Sequence, residues 1–178
     1  MRVVAGELRG RRLHAPAGSA TRPTADRVRE ALFSILGDAV VDAAVLDLYA
    51  GSGALAIEAL SRGAAGAELV DSSRAAIQAI ERNLAELGLE AVVRRRDALA
   101  QLADAAAAGR TYDLVFADPP YDAASRVGAR LADLLPPVLH RDALIVTESN
   151  KRDPLTLPFP LLRERTYGDT RIAVHRHG

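Results

Sequence analysis

Short apolar runs and longer amphipathic segments alternate along residues 44–148. The apolar runs predict strands over 44–49, 67–71, 91–95, 112–117 and 143–148. The segments between them carry apolar residues at helical spacing and predict helices over 54–62, 73–87, 98–108 and about 123–135. Because buried strands that alternate with helices are typical of doubly wound α/β proteins, we expect a mostly parallel sheet covered on both faces.

The last part of the chain breaks this alternation. Residues 162–167 and 171–175 predict two more strands, and the Gly168-Asp169-Thr170 segment between them leaves no room for a helix. Two strands joined by so short a turn form an antiparallel hairpin. The sequence therefore predicts a seven-stranded sheet that ends in antiparallel strands.

The N-terminal part has a different pattern. Residues 1–16 alternate weakly around the segment Gly6–Gly10, which predicts a short β-hairpin. We therefore expect a small extension over residues 1–20 and a main domain over 21–178.

A helix is expected between this extension and the first strand. Thr24 is a suitable N-cap, and Gly37 a suitable stop. The apolar face would pack on the main domain and leave Arg27 and Arg29 exposed. That face consists of Val28, Leu32, Ile35 and Leu36.

Composition narrows the class of protein. The chain has 178 residues, of which 49% are hydrophobic, so it can form one domain with a sizeable core. The absence of cysteine excludes disulfides, thiolate catalysis and sulfur-ligated zinc, and the four histidines show no metal-ligand spacing. No apolar stretch approaches the roughly 20 residues of a membrane span. We expect a cytoplasmic protein with no metal and no membrane association.

Charge is distributed unevenly along a chain that is neutral overall. Residues 1–30 hold seven arginines and three acidic residues, a net charge of +4, which makes this segment the electrostatic outlier. These arginines are Arg2, Arg9, Arg11, Arg12, Arg22, Arg27 and Arg29.

The first strand runs into a Gly-x-Gly turn, Gly51-Ser52-Gly53, and then a helix. This pattern brings backbone amides close to a ligand at a helix N-terminus. A nicotinamide or flavin site, an adenosylmethionine site and a tight turn without a ligand all have it. Asp47 favours the second, because its carboxylate can face the ammonium group of a methionine moiety. The alternative is a buried carboxylate that caps local amides.

Two further acids end the next strands. Asp71 is placed to receive ribose hydroxyls. Asp97 is placed to accept a hydrogen bond from an adenine amino group while Ala98 packs on the ring. Asp97 is equally well placed to cap the following helix, and the two roles are compatible.

The tetrapeptide Asp118-Pro119-Pro120-Tyr121 follows the fourth strand, at the edge where open α/β sheets bind ligands. Prolines also terminate strands for purely structural reasons. Its chemistry suits methyl transfer to a nucleobase amine, because the Asp118 carboxylate and the Pro119 carbonyl can each accept one amine hydrogen. Tyr121 offers a flat face on which an extruded base can stack.

In their order and spacing, these residues resemble the class I adenosylmethionine-dependent amino-methyltransferases, which have a Rossmann-like fold. Three flanking segments narrow the resemblance to the bacterial methyltransferases that act on N2 of guanine 966 in 16S ribosomal RNA. These segments are Arg2–Leu13, Thr21–Phe33 and Tyr167–Ile172.

The resemblance implies S-adenosylmethionine as cofactor and 16S RNA as partner, within a partly assembled 30S subunit, for a protein that acts as a monomer. It implies that Asp118, Pro119, Pro120 and Tyr121 hold the guanine and that the seven N-terminal arginines contact RNA. It implies cofactor contacts from Asp47, Tyr49, Ala50, Gly51, Ser52, Gly53, Asp71, Ser72, Asp97 and Ala98.

Alternatives remain at this point. A DNA adenine-N6 or cytosine-N4 methyltransferase shares the tetrapeptide but normally adds a target-recognition domain, for which the chain has no length. A non-catalytic RNA-binding assembly factor could retain the fold, and a dehydrogenase could use the glycine turn. The basic N-terminal segment could be a solvated, loosely held arm.

Overall fold

The computed structural model describes residues 1–18, 26–120 and 124–178. Its helices are α1 (Asp26–Leu36), α2 (Ala54–Ser61), α3 (Arg74–Leu87), α4 (Ala98–Ala107) and α5 (Ala124–Leu134). Its strands are β1 (Ala44–Leu48), β2 (Gly66–Asp71), β3 (Val92–Arg95), β4 (Tyr112–Ala117), β5 (Leu139–Asn150), β6 (Leu161–Tyr167) and β7 (Thr170–Arg176). Short 3₁₀ helices follow α1 and precede β5, at Gly37–Val40 and Pro136–Val138. None of the helices in the described residues is long and apolar enough to cross a membrane.

The seven strands form one sheet in the order β3-β2-β1-β4-β5-β7-β6. The first five are parallel, and β7 runs antiparallel to both β5 and β6. One apolar cluster covers the face of the sheet beneath α1, α2 and α3, and a second covers the face beneath α4 and α5. The predicted mostly parallel sheet with antiparallel final strands is confirmed.

Strand β5 is longer than predicted. It spans Leu139–Asn150, whereas the apolar pattern covers only 143–148. The register with β4 shifts near the start of β5, where Asp142 has a positive φ of 63°. At the other end, Asn150 still pairs with Thr170 of β7. Backbone pairing extends the strand into polar residues, which apolar patterning cannot detect.

The N-terminal segment forms a single antiparallel bridge, between Arg2 and Arg12, rather than two regular strands. Leu13 N–H donates to the Met1 carbonyl at 3.1 Å. The side chains of Val3 and Leu13 are buried in the cluster beneath α1, α2 and α3. The hairpin prediction was therefore right in outline, but the segment is anchored by its core contacts.

Glu58 of α2 fixes this segment to the domain. Its carboxylate is fully buried and accepts hydrogen bonds from the backbone N–H groups of Val4 at 2.7 Å and Ala5 at 2.9 Å. Arg62 N–H donates to the same carboxylate at 2.8 Å. A buried carboxylate is tolerated only when it is paired in this way. For the described residues 1–18, a loosely held arm is therefore excluded.

The prediction that Arg29 is exposed is wrong. Its side chain is 0% exposed and donates to the backbone carbonyl of Arg2 and, at 3.0 Å, to the Asp26 carboxylate. Its Nε lies 3.7 Å from Glu58 Oε2. Burial lowers the pKa of Arg29, while the two carboxylates oppose that shift. The guanidinium links α1, α2 and the N-terminal segment, so it is not available to RNA in this conformation.

Gly6 allows the N-terminal segment to approach α2. Its φ is +81°, and a Cβ built there would lie 1.8 Å from the Ser61 carbonyl oxygen. That carbonyl accepts from Glu7 N–H at 2.9 Å. Gly10 has nearly the same φ, +82°, but nothing within 4 Å of its Cβ position.

We therefore expect Gly6→Ala to destabilise the protein by at least about 2 kcal/mol more than Gly10→Ala. Both variants carry the cost of a positive φ, about 1 kcal/mol. Only the first forces the backbone away from Ser61. Denaturant unfolding of the two variants measures the difference. Equal losses of unfolding free energy would show that the segment does not need this close contact.

Candidate active site

The predicted acids lie along one edge of the sheet, where the parallel strands end. Leu48 of β1 pairs with Val70 of β2 on one side and with Ala117 of β4 on the other. The residues that follow these two partners, Asp71 and Asp118, therefore lie at the same level on either side of β1. The structure brings the cofactor and base motifs of the sequence to adjacent strand ends.

The turn after β1 has the backbone that the glycine pattern predicts. Gly51 and Gly53 have φ values of 58° and 77°, and Tyr49 also has a positive φ of 62°. Gly53 N–H donates to the Ala50 carbonyl at 2.7 Å, which closes the turn before α2 begins. A non-glycine residue in this conformation is uncommon and marks a constrained site.

The two glycines have different roles. A Cβ on Gly53 would lie 2.9 Å from the Leu69 side chain, so this glycine is needed for packing of α2 against β2. At Gly51 the nearest atom would be the Tyr49 carbonyl oxygen, 4.0 Å away, so the space beside Gly51 is open. A ligand can therefore approach the backbone at Gly51.

Asp47 lies beneath this turn and is 2% exposed. Its Oδ2 accepts from the backbone N–H of Ala56 in α2 at 3.2 Å. Burial raises the pKa of Asp47 to about 7, the negative charge of Asp71 adds to the shift, and the Ala56 hydrogen bond opposes it. The structural alternative of a carboxylate that caps an amide is thus correct, and it leaves an acid that a cationic ligand would ionise.

Asp71 and Asp97 both bind backbone amides. Asp71 accepts from Gly51 N–H at 2.9 Å and from Ser73 N–H at 2.8 Å, which places Ser72 at the same corner. Asp97 caps α4 by accepting from Ala100 N–H at 3.0 Å. Each carboxylate oxygen can accept a second hydrogen bond, so both residues remain available to ligand hydroxyl and amino groups.

Tyr49 faces Asp97 across the turn. Burial raises the pKa of Tyr49 to about 12, and the charge of Asp97 adds to this shift. The ring packs against the apolar cluster that also contains Ala98. Tyr49, Asp97 and Ala98 thus bound one side of the space next to the turn.

Asp118 and its prolines stand on the other side of β1. Pro119 is buried and Pro120 is exposed. Neither proline has an N–H, so after Asp118 this segment offers hydrogen-bond acceptors only. Burial raises the pKa of Asp118 well above its usual value, and the charges of Glu148 and Asp47 raise this pKa further. Tyr121, like Arg22 and the predicted N-cap Thr24, lies outside the described residues.

Sequence analysis missed Glu148, the acid next to Asp118. Ala117 of β4 pairs with Thr147 of β5, so Asp118 and Glu148 follow side by side on neighbouring strands. Glu148 is only 7% exposed. An acidic residue at the end of an apolar strand was a usable signal, but its neighbour could be named only once the strand order was known.

Asn83 of α3 was also missed, and it joins the N-terminal segment to the glycine turn. Its Nδ2 donates to the Ser52 carbonyl at 2.9 Å and to the His14 carbonyl at 3.0 Å. Its Oδ1 accepts from His14 N–H at 2.8 Å, and the residue is 0% exposed. The turn that faces the open space is therefore fixed by a contact with the basic segment.

The N-terminal arginines other than Arg29 and Arg22 are exposed. Arg11 is anchored to α3, because its guanidinium donates to the Glu86 carbonyl at 2.7 Å. The remaining exposed residues are Arg2, Arg9, Arg12 and Arg27. They lie on the side of the domain formed by α1, α2 and α3, not among the acids of the strand ends.

The residues at the strand ends fit S-adenosylmethionine. Asp47, Asp71 and Asp97 present three carboxylates around the turn, which suits a ligand with a positive charge and with hydroxyl and amino donors. A dinucleotide with two phosphates suits this acidic surface poorly. The residues that could hold the cofactor are Asp47, Tyr49, Gly51, Asp71 and Asp97.

Comparisons with known proteins agree with this site. Ribosomal RNA small subunit methyltransferase D of Escherichia coli K12 is 47% identical over 122 residues, which cover 68% of this chain and 60% of the relative, so the match spans less than two thirds of that protein. YlbH of Bacillus subtilis 168 is 38% identical over 188 residues, covering 99% and 98% of the two chains. The solved structure of yhhF from Escherichia coli has 38% identity and a TM-score of 0.84, covering 99% and 97%.

One family model matches residues 1–176, from the docked N-terminal segment to the last strand. The match therefore includes the glycine turn, the acids at the strand ends and the Asp-Pro-Pro segment. The chain belongs to the family described as conserved hypothetical protein 95.

Proposed function

We propose that the protein transfers a methyl group from S-adenosylmethionine to N2 of a guanine in 16S ribosomal RNA. One observation carries the proposal: Asp118 and the Pro119 carbonyl stand one strand away from the turn above Asp47. A base amine held by the first pair would face a cofactor bound at the second. The family relatives named for small-subunit ribosomal RNA methylation support RNA as the substrate class.

The chain's contribution to the reaction is orientation. A base amine is planar and a weak nucleophile because its lone pair is delocalised into the ring. The Asp118 carboxylate and the Pro119 carbonyl accept its two hydrogens and direct the lone pair out of the plane. The cofactor supplies a methyl group on a positively charged sulfur, which leaves as a neutral thioether. Asp118, whose raised pKa makes it a proton acceptor near neutral pH, takes the proton that the amine loses.

Asp47 completes the site by its charge. Its pKa of about 7 leaves it partly protonated in the free protein at neutral pH, and a bound ammonium group would ionise it. We assign Tyr121 to stacking on the extruded guanine, because base-modifying enzymes need an apolar surface for a base that has left its stack.

RNA recognition is assigned to the docked N-terminal extension over residues 1–20 and to Arg27. The exposed arginines there, together with Arg22, would bind phosphates, while the base pocket reads identity. We further propose that the substrate is a partly assembled 30S subunit, that the protein acts as a monomer and that it is cytoplasmic.

The test is the position of the methyl group in cells. A strain that lacks the gene is compared with the same strain carrying wild type or Asp118→Ala, and N2-methylguanosine in 16S RNA is mapped by mass spectrometry. The proposal predicts one guanine that loses its methyl group in the deletion strain and regains it only with wild type. An unchanged 16S methylation map would reject the proposed function and favour a non-catalytic or DNA-directed role.

A further inference from the structure

An arginine-lined groove lies at the free edge of the sheet, between β3 and α4. It encloses about 360 Å³ and is lined mainly by Arg94, Arg95, Arg96, Arg110, Gln101 and Asp104. We call it the β3 groove. None of its arginines belongs to the N-terminal basic segment.

Buried and surface carboxylates fix most of these arginines in place. Glu68 of β2 is 6% exposed and accepts from Arg94 Nε at 2.7 Å and from the Tyr112 hydroxyl at 2.9 Å. Arg110 Nε lies 3.9 Å from the same carboxylate, and Arg96 pairs with Asp104 at 2.7 Å. Held guanidinium groups lose little conformational entropy when they bind an anion, so this arrangement favours anion binding.

The β3 groove keeps an excess of positive charge after this pairing. Four guanidinium groups face two carboxylates, those of Glu68 and Asp104. Arg95 is exposed and makes no ion pair or side-chain hydrogen bond within the described residues. A polar lining with unneutralised arginine suits a phosphate group rather than an apolar ligand.

The β3 groove adjoins the candidate active site. Arg96 N–H donates to the Asp71 carbonyl at 3.0 Å, so the groove begins at the strand end that faces the glycine turn. Asp118 lies three strands away along the sheet, about 14 Å at the usual spacing of neighbouring strands. A nucleic acid whose base enters beside Asp118 could reach the groove with phosphates a few nucleotides away.

We propose that the β3 groove binds backbone phosphates of the RNA substrate. It would be a second RNA contact, on the sheet face covered by α4, whereas the N-terminal segment packs on the face covered by α2 and α3. The two surfaces would hold the RNA on both sides of the strand ends. This inference rests on the proposed function for the identity of the RNA.

The test compares two double variants that each remove two positive charges from an edge strand. Arg95→Gln with Arg96→Gln alters the β3 groove. Arg163→Gln with Arg165→Gln alters exposed arginines of β6, at the opposite edge of the sheet. Affinity for 16S RNA is measured over a range of salt concentrations, and affinities for S-adenosylmethionine and inorganic phosphate are measured in parallel.

We expect the groove variant to bind 16S RNA on the order of tenfold more weakly at low salt, with a salt dependence reduced by one to two phosphate contacts (slope change of roughly 0.7 per contact). The β6 variant should bind RNA like wild type, and both should keep cofactor affinity and melting temperature. Equal RNA affinity in the two variants would overturn the inference. So would weaker binding of inorganic phosphate alone, which would assign the β3 groove to a free anion.

The outcome is separable from that of the proposed function. If wild type binds 16S RNA but does not methylate it, the catalytic proposal fails, while the comparison of RNA affinities still decides the role of the β3 groove.

Discussion

Replacing Asp118 with alanine is expected to lower the turnover number for methyl transfer by about 10²–10³-fold. The variant loses the carboxylate that holds one amine hydrogen and accepts the proton released in the reaction. Affinity for S-adenosylmethionine should change only a few-fold, because the turn at Gly51 and the acids Asp47 and Asp71 are untouched.

Asp118→Asn is the matched control for this prediction. Its side-chain oxygen can still accept the amine hydrogen, but the amide is not a proton acceptor at neutral pH. Single-turnover rates should therefore fall in the order wild type, Asp118→Asn, Asp118→Ala. If Asp118→Ala lost cofactor binding and kept its single-turnover rate at saturating cofactor, Asp118 would belong to the cofactor site instead.

Replacing Asp47 with asparagine is expected to stabilise the free protein while weakening cofactor binding. The folded-state pKa of Asp47 is raised to about 7 from an ordinary value of 3.8. A group with a raised pKa contributes stability below its unfolded pKa and loses it as pH rises toward the folded pKa. At and above pH 7 the buried carboxylate therefore costs about 3–4 kcal/mol, which a neutral amide avoids. The two proteins should be equally stable near pH 4.

Cofactor affinity should change in the opposite direction. Without the carboxylate, the ammonium group of the methionine moiety has no charged partner, and affinity should fall by about 30-fold or more, or roughly 2 kcal/mol. In wild type, affinity should decline as pH falls below about 7, because binding must then remove a proton from Asp47. Calorimetry and thermal unfolding over pH 4–8 measure both effects. Equal stability of the two proteins at pH 8 would contradict the burial argument for Asp47.

Apolar periodicity predicted most of the fold because it is a local property. Strands β1 to β4 and helices α2 to α5 agree with the predicted ranges to within about two residues. The same periodicity also contained a warning about Arg29. It lies three, four and seven residues before Leu32, Phe33 and Leu36, all buried on the same face of α1. Helical phase alone would have placed it in the interior, and only its charge suggested exposure.

Long-range contacts were beyond sequence reasoning. Glu58 binds the backbone of Val4 and Ala5, more than 50 residues away, and Asn83 binds His14 at a separation of 69. Backbone groups carry no sequence signal for such pairings. The docking of the N-terminal segment, and with it the link from this segment to the glycine turn, therefore emerged only from the structure.

The glycine turn shows the same limit on a smaller scale. The sequence treats Gly51 and Gly53 as equivalent members of one motif. Gly53 is required by the Leu69 side chain, whereas Gly51 borders open space. Which glycine serves packing and which serves a ligand depends on the neighbouring strand.

The measurement closest to the central claim is the identity of the nucleoside that the purified protein modifies. The protein is incubated with labelled S-adenosylmethionine and with naked 16S RNA, and separately with 30S subunits, from a strain that lacks the gene. The RNA is then digested to nucleosides and analysed by mass spectrometry. The account predicts label in N2-methylguanosine from at least one substrate, and none with Asp118→Ala. Label in N6-methyladenosine or N4-methylcytosine, or no label in either substrate, would contradict it.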